Sequence, residues 1–157
     1  MELNPKKEDE LLQLVTFSVD VEEFGVNILK VQEIIRIMEI TKVPQAPEFV
    51  EGIINLRGKV IPIIDLRHRF GLVPKTHDKN TRIIVIEVKS IIVGFVVDAV
   101  SEVLRIPAST VEPPSPIVAG VDSDYISGVG KLQDRLLIML DLDKLLSIDD
   151  ISMLNGM

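Results

Sequence analysis

Apolar residues run along this chain in short stretches broken by glycine, proline and small polar residues, the punctuation of a β protein. Residues 12–19 read as a strand, residues 20–23 as a polar turn and residues 24–28 as a second strand. In residues 28–38 the apolar positions 28, 31, 34, 35 and 38 fit one helical face, but β-branched side chains favour extended backbone. A short helical turn followed by a strand is expected there. Pro44 and Pro47 end the segment. Residues 52–56 and 59–65 are predicted strands joined at Arg57-Gly58, where Gly58 supplies the positive φ of a tight hairpin. A short helix over residues 66–70 is stopped by Gly71 and Pro74, and residues 77–80 form an exposed polar link. Strands follow at residues 81–88, 91–97 and 102–107. A last hairpin spans 125–141 and turns at Asp134, and a C-terminal helix starts at Leu142.

The pattern is written twice. Phe24-Gly25-Val26-Asn27-Ile28 and Val31-Gln32-Glu33-Ile34-Ile35-Arg36-Ile37 return as Val93-Gly94-Phe95-Val96-Val97 and Val100-Ser101-Glu102-Val103-Leu104-Arg105-Ile106, at an offset of 69 (94 − 25). Residues 52–66 return as residues 128–142 at an offset of 76 (128 − 52). The extra residues of the second copy fall around Pro113-Pro114-Ser115-Pro116, which cannot be core strand. Each copy is too short to bury a good core alone. The expected fold is mainly β: two SH3-like, five-stranded β-barrel subdomains packed on a shared core, with short helices and a C-terminal helix. The expected boundaries are a flexible N-terminal arm (1–11), one domain (12–147) of two pseudo-repeats (about 13–80 and 81–142, with strand exchange possible), and a tail (148–157).

Composition narrows the function. The 157 residues include 17 Lys and Arg against 24 Asp and Glu, a net charge of −7, which disfavours nucleic acid and anionic membrane as partners. Five Phe and one Tyr are too few for a base-stacking platform. The absence of cysteine excludes disulfides, thiolate zinc sites and cysteine nucleophiles. Residues 1–10 lack the apolar stretch of a signal peptide, and no apolar run approaches membrane-spanning length.

Catalytic chemistry is missing too. Gly128-Val129-Gly130-Lys131 lacks the first glycine and the terminal Ser or Thr of a phosphate loop. His68 and His77 have no metal-site spacing and are expected on the surface. Asp65 and Asp141 stand at equivalent strand ends, where helix N-capping explains both better than paired acid–base work. No nucleophile, base or metal set completes an active site, and no cofactor is expected. A binding module is the better class.

Three blocks carry a resemblance: residues 25–34, the stretch from Gly52 through Asn55-Leu56-Arg57-Gly58 to Pro62, Asp65 and Arg67, and residues 93–104. In order and spacing they resemble the CheW family of chemotaxis coupling proteins, over about residues 12–146. The resemblance implies the same two-barrel fold. It also implies a cytoplasmic, non-enzymatic scaffold recruited to membrane-associated receptor arrays, where it couples methyl-accepting chemoreceptors to the histidine kinase CheA. The implied partners are the receptor's cytoplasmic tip, the regulatory domain of the kinase, and other CheW-like domains in rings.

By position, Val31, Gly52, Arg57 and Val103 correspond to family residues tied to partner binding. Val31 and Val103 equally fit plain core, Gly52 a backbone requirement, and Arg57 a solvated turn. Ile117, an apolar residue beside the prolines, is assigned to the ring contact with the kinase. Two rivals are a CheV-like adaptor, whose receiver domain has no room here, and a small-ligand or enzymatic β-barrel with an unfamiliar site.

Overall fold

A computed structural model describes residues 10–114, 125–146 and 148–155. The strands are β1 (Leu11–Val19), β2 (Glu22–Asn27), β3 (Val31–Arg36), β4 (Val50–Leu56), β5 (Lys59–Asp65), β6 (Arg82–Val88), β7 (Ile91–Val97), β8 (Ala99–Pro107), β9 (Val111–Glu112), β10 (Ile126–Lys131) and β11 (Leu136–Leu140). The helices are α1 (Leu66–Arg69), α2 (Leu142–Leu145) and α3 (Ile148–Asn155), with 3-10 turns at Ile28–Lys30 and Ala108–Thr110. The first turn and β3 together are the helical turn and strand expected of residues 28–38.

The fold is mainly β, two SH3-like subdomains. One sheet has the order β8-β1-β2-β11-β10-β9, the other β3-β6-β7-β5-β4. Each sheet therefore takes strands from both copies of the repeat: β8 lies beside β1, and β3 beside β6. The registers obey the repeat. Val15 pairs with Val103 across β1 and β8, and their counterparts Ile84 and Ile34 pair across β6 and β3. Gly25 faces Met139 in the parallel β2–β11 contact as Gly94 faces Ile63 in β7–β5. The bulges recur as well, between Val50 and Gly52 and between Ile126 and Gly128. The sheets differ by one short strand: where the first has β9, the second has the single bridge between Thr41 and Ile53.

The largest apolar cluster lies between the sheets. It joins Val15, Phe17 and Phe24 to Ile84, Ile86 and Phe95, and is closed by Leu142, Leu145 and Leu154. Each subdomain keeps a smaller cluster of its own, around Ile61, Ile63 and Ile83 in one and Leu14, Leu137 and Met139 in the other. Strands buried on both faces explain why their sequences run apolar rather than alternating. Thr16 is the polar exception in β1; its hydroxyl donates to the Glu102 carbonyl at 3.1 Å and accepts from the Glu102 amide at 3.2 Å, which satisfies it at a break in register.

Local chemistry explains the helix ends. The Asp65 carboxylate accepts the Arg67 amide at 2.9 Å, and the Asp141 carboxylate accepts the Asp143 amide at 3.0 Å, so both are N-caps. The single C-terminal helix expected from Leu142 is instead two, because Leu146 turns extended (φ −112°, ψ 126°). That conformation seats its side chain in the shared core, where it is 2% exposed. The β4–β5 turn also differs from expectation. Arg57 (φ 51°) and Gly58 (φ 87°) both take left-handed backbone, so the two-residue hairpin makes its demand of both positions.

Candidate functional site

Arg57 stands at the tip of the β4–β5 hairpin, with its side chain 70% exposed. It is not merely solvated: its Nη2 donates to Glu33 Oε1 on β3. β3 and β4 are the two edges of their sheet, so the ion pair closes one barrel across its open side. Beneath it lies a hollow of about 210 Å³ lined by Gln32, Glu33, Leu56, Arg57, Ile61 and Ile92. Apolar walls under a charged rim suit a partner that offers aliphatic side chains beside carbonyls or carboxylates.

Val31 opens β3 and is half-buried against the shared core. Val103 is not core. It is 54% exposed on β8, the edge strand of the other sheet, and its counterpart Ile34 on β3 is also exposed. Gly52 is buried, and its backbone is pinned by the bridge from Thr41 to Ile53. A Cβ there would stand 2.4 Å from the Thr41 carbonyl oxygen and 2.7 Å from Ile40 Cγ2, so no side chain fits. Val31 and Arg57 thus share one sheet, linked through Glu33, while Val103 lies on the edge of the other. Ile117 falls outside the described residues.

Three polar constellations were not read from the sequence. Arg67 (side chain 12% exposed) donates to both carboxylate oxygens of Asp98, at 3.1 and 2.7 Å, to Asp20 at 3.4 Å and to the Val73 carbonyl at 2.8 Å. Burial pushes the Asp98 carboxyl up, but hydrogen bonds from Arg67 and the Asp20 amide, with the Arg67 charge, hold it below the ordinary aspartate value. Arg135 binds Glu23 at 2.6 Å and Glu102 at 3.1 Å. Glu102 repeats Glu33 at the offset of 69 (102 − 33), and Arg135, like Arg57, sits by the hairpin of its own copy. That recurrence was the available signal for the Glu33–Arg57 pair. Finally, His77 is half-buried rather than on the surface, with Nε2 at 2.9 Å from Glu51 Oε1.

The residues weighed for catalysis take structural places. Gly128-Val129-Gly130-Lys131 lies within β10 and wraps nothing, and both candidate acids, Asp65 and Asp141, are occupied as caps. Among the described residues no group of three or more His, Cys, Asp or Glu side chains could hold a metal. A concavity of about 640 Å³ is an open, mainly apolar trough along Val43, Ile53, Val60, Pro62 and Leu154, with Lys59 and Ser90 among its lining residues.

The family pattern of the CheW-like domain matches residues 13–150. The chemotaxis protein CheW of Klebsiella aerogenes is 38% identical over 144 residues, covering 92% of this chain and 87% of its own. The CheW of Treponema pallidum is 34% identical over 150 residues, covering 93% and 88%. The crystal structure of the scaffolding protein TtCheW from Thermoanaerobacter tengcongensis superposes with a TM-score of 0.81 at 41% identity, over 88% of this chain and 94% of that one. The pseudo-repeated barrels and these likenesses converge: the chain belongs to the CheW family, the non-enzymatic scaffolds that couple chemoreceptors to the kinase CheA in chemotaxis.

Proposed function

We propose that this chain grips the cytoplasmic tip of a chemoreceptor with a surface that includes Val31, Arg57 and Val103, and presents its other faces to the regulatory domain of the kinase and to further CheW-like domains. The observation behind the reading is Arg57: an exposed guanidinium held over an apolar hollow by Glu33. A helical hairpin tip offers aliphatic anchors and free backbone carbonyls, which match the hollow and the unused guanidinium donors. Gly52 supports the surface indirectly, by letting residues 40 and 41 close against β4.

Ile117 is proposed for the kinase contact on its sequence position alone. No described helix is long and apolar enough to cross a membrane. The proposed location is the cytoplasm, with recruitment to receptor arrays by binding. The test is kinase activation in a reconstituted ternary mixture of receptor, kinase and this chain. Wild type should stimulate the kinase and Arg57→Ala should not, while pairwise binding of Arg57→Ala to the kinase stays intact. Equal stimulation by both would remove Arg57 from the receptor surface.

A further inference from the structure

Residues 72–81 lead from α1 to β6 across a small polar hollow of about 90 Å³. One end of this strap is anchored on α1: the Leu72 amide donates to the Arg67 carbonyl at 2.7 Å, and Arg67 Nη1 donates to the Val73 carbonyl at 2.8 Å. The far end is a tight turn in which the Asp78 amide donates to Thr81 Oγ1 at 2.8 Å and the Asn80 amide to the Asp78 carboxylate at 2.8 Å. Between the ends, His77 reaches down to Glu51, the bulge residue of β4.

The repeat supplies an internal control. The positions of Glu51, Asp65, Arg67 and Val96 correspond to Ser127, Asp141, Asp143 and Asn27, and these four line a hollow of about 260 Å³ in the other subdomain. Pro74, Lys75, Thr76 and His77 line the first hollow; among the described residues no counterpart of them lines the second. Among the described residues, then, the strap covers one of two equivalent concavities. Glu51 itself is an uncomfortable floor for that cover. Its Oε2 is buried and has no hydrogen-bond partner among the described residues, a costly state for an ionised carboxylate.

We infer that the His77–Glu51 pair is a pH-sensitive latch, closed while the pair holds a proton beyond a neutral imidazole and a free carboxylate, and loosened as rising pH removes it. The charged groups facing the pair come from each element around it: Lys75 from the strap, Asp65 from the end of β5, Arg67 from α1, Asp98 from the end of β7 and Lys42 from the β3–β4 connection. Arg67 is committed to Asp98 and Asp20 and Lys75 to Asp78, so a deprotonated pair leaves Glu51 beside Asp65, whose push the Coulombic pull of Lys42 offsets only in part. Burial pushes the Glu51 carboxyl up more than His77 pulls it down, and Asp65 pushes it further up. A raised acid of this kind stabilises the folded chain at low pH and loses that contribution as pH rises through its folded value. Lifting the strap would uncover the Arg67–Asp98 pair and give the first hollow the open form of the second.

Amide hydrogen exchange on the full chain, followed by NMR from pH 5.5 to 8.5 and corrected for intrinsic rates, tests this. Protection of the Asp78 and Leu72 amides should fall progressively as pH rises, relative to the Ile84 amide in the core. Glu51→Gln keeps an acceptor for His77 without the charge, and His77→Gln is neutral throughout; in either variant the strap's protection should be flat across the range. Flat protection in wild type, or the wild-type fall persisting in either variant, would overturn the latch.

Discussion

Arg57 at the tip of the β4–β5 hairpin and Glu33 on β3 are joined by a hydrogen-bonded ion pair across the open side of the barrel built on the β3-β6-β7-β5-β4 sheet. The pair is too exposed to contribute more than about 1 kcal/mol to folding. Alanine tolerates the left-handed backbone of position 57 about as well as arginine does. Arg57→Ala should therefore leave the thermal melt nearly unchanged. If Arg57 is an interface hot spot, the same change costs about 2 kcal/mol in receptor binding, roughly 30-fold in affinity. Receptor titration with parallel circular dichroism melts checks both halves. Unchanged affinity would leave the side chain with barrel closure as its only role.

Gly52 is expected to behave in the opposite way. A methyl group placed 2.4 Å from the Thr41 carbonyl must push the bridged segment off β4. Overpacking of this kind costs about 1–3 kcal/mol. Gly52→Ala should lower the melting temperature by roughly 2–12 °C, at about 2–4 °C per kcal/mol for a chain of this size. Any loss of partner binding should then shrink at low temperature, where the variant is folded. A normal melt with lost binding would instead make Gly52 part of the contact surface itself.

How far these sites were legible in the sequence varies with the physics. The two offsets made Gly25 equivalent to Gly94 and Asp65 to Asp141, and both equivalences stand in the registers and caps. The same offsets fit a β3 that pairs with β1 or with β6, so strand pairing between copies could not be read from them; side-chain packing between the sheets decides it. Leu146 looked helical because it follows a helical run, and burial overrode propensity. The Arg67–Asp98, His77–Glu51 and Arg57–Glu33 pairs join residues 24 to 31 positions apart, and only the fold brings them together.

Arg67 and Asp98 are the pair whose loss the fold should feel most. Their side chains are 12% and 15% exposed, so removing one leaves the other charge largely desolvated. Arg67→Ala should cost about 3 kcal/mol or more. Asp98 also gives the effect a pH signature. Its folded carboxyl lies below the ordinary aspartate value, so its contribution is complete above about pH 4, the ordinary unfolded range, and is lost as pH falls through the folded value. Urea melts of wild type and Asp98→Asn at pH 7, 4 and 3 should show a stability gap that narrows in acid. A gap independent of pH would assign the loss to packing.

Val103 offers the cleanest separation of folding from binding. A valine in a repeated strand block reads as well for core as for surface, and a charge placed in a core would unfold the barrel. The structure removes that confusion. Val103 is 54% exposed on the edge strand β8, and its Cα partner Val15 is buried. An aspartate at position 103 can keep its carboxylate in water, so Val103→Asp should change stability by about ±0.5 kcal/mol, as surface substitutions usually do. A charge on an edge strand also guards against edge-to-edge association, so the variant should be at least as soluble as wild type. At a receptor contact, however, the same carboxylate must be desolvated against apolar partner atoms, and affinity should fall tenfold or more, about 1.4 kcal/mol. Val15→Asp is the contrast: its side chain lies in the shared core at 2% exposure, and that variant should not fold. Receptor titration of folded Val103→Asp decides the matter. A normal melt with weakened binding places β8 in the partner surface, and a normal melt with normal binding excludes it.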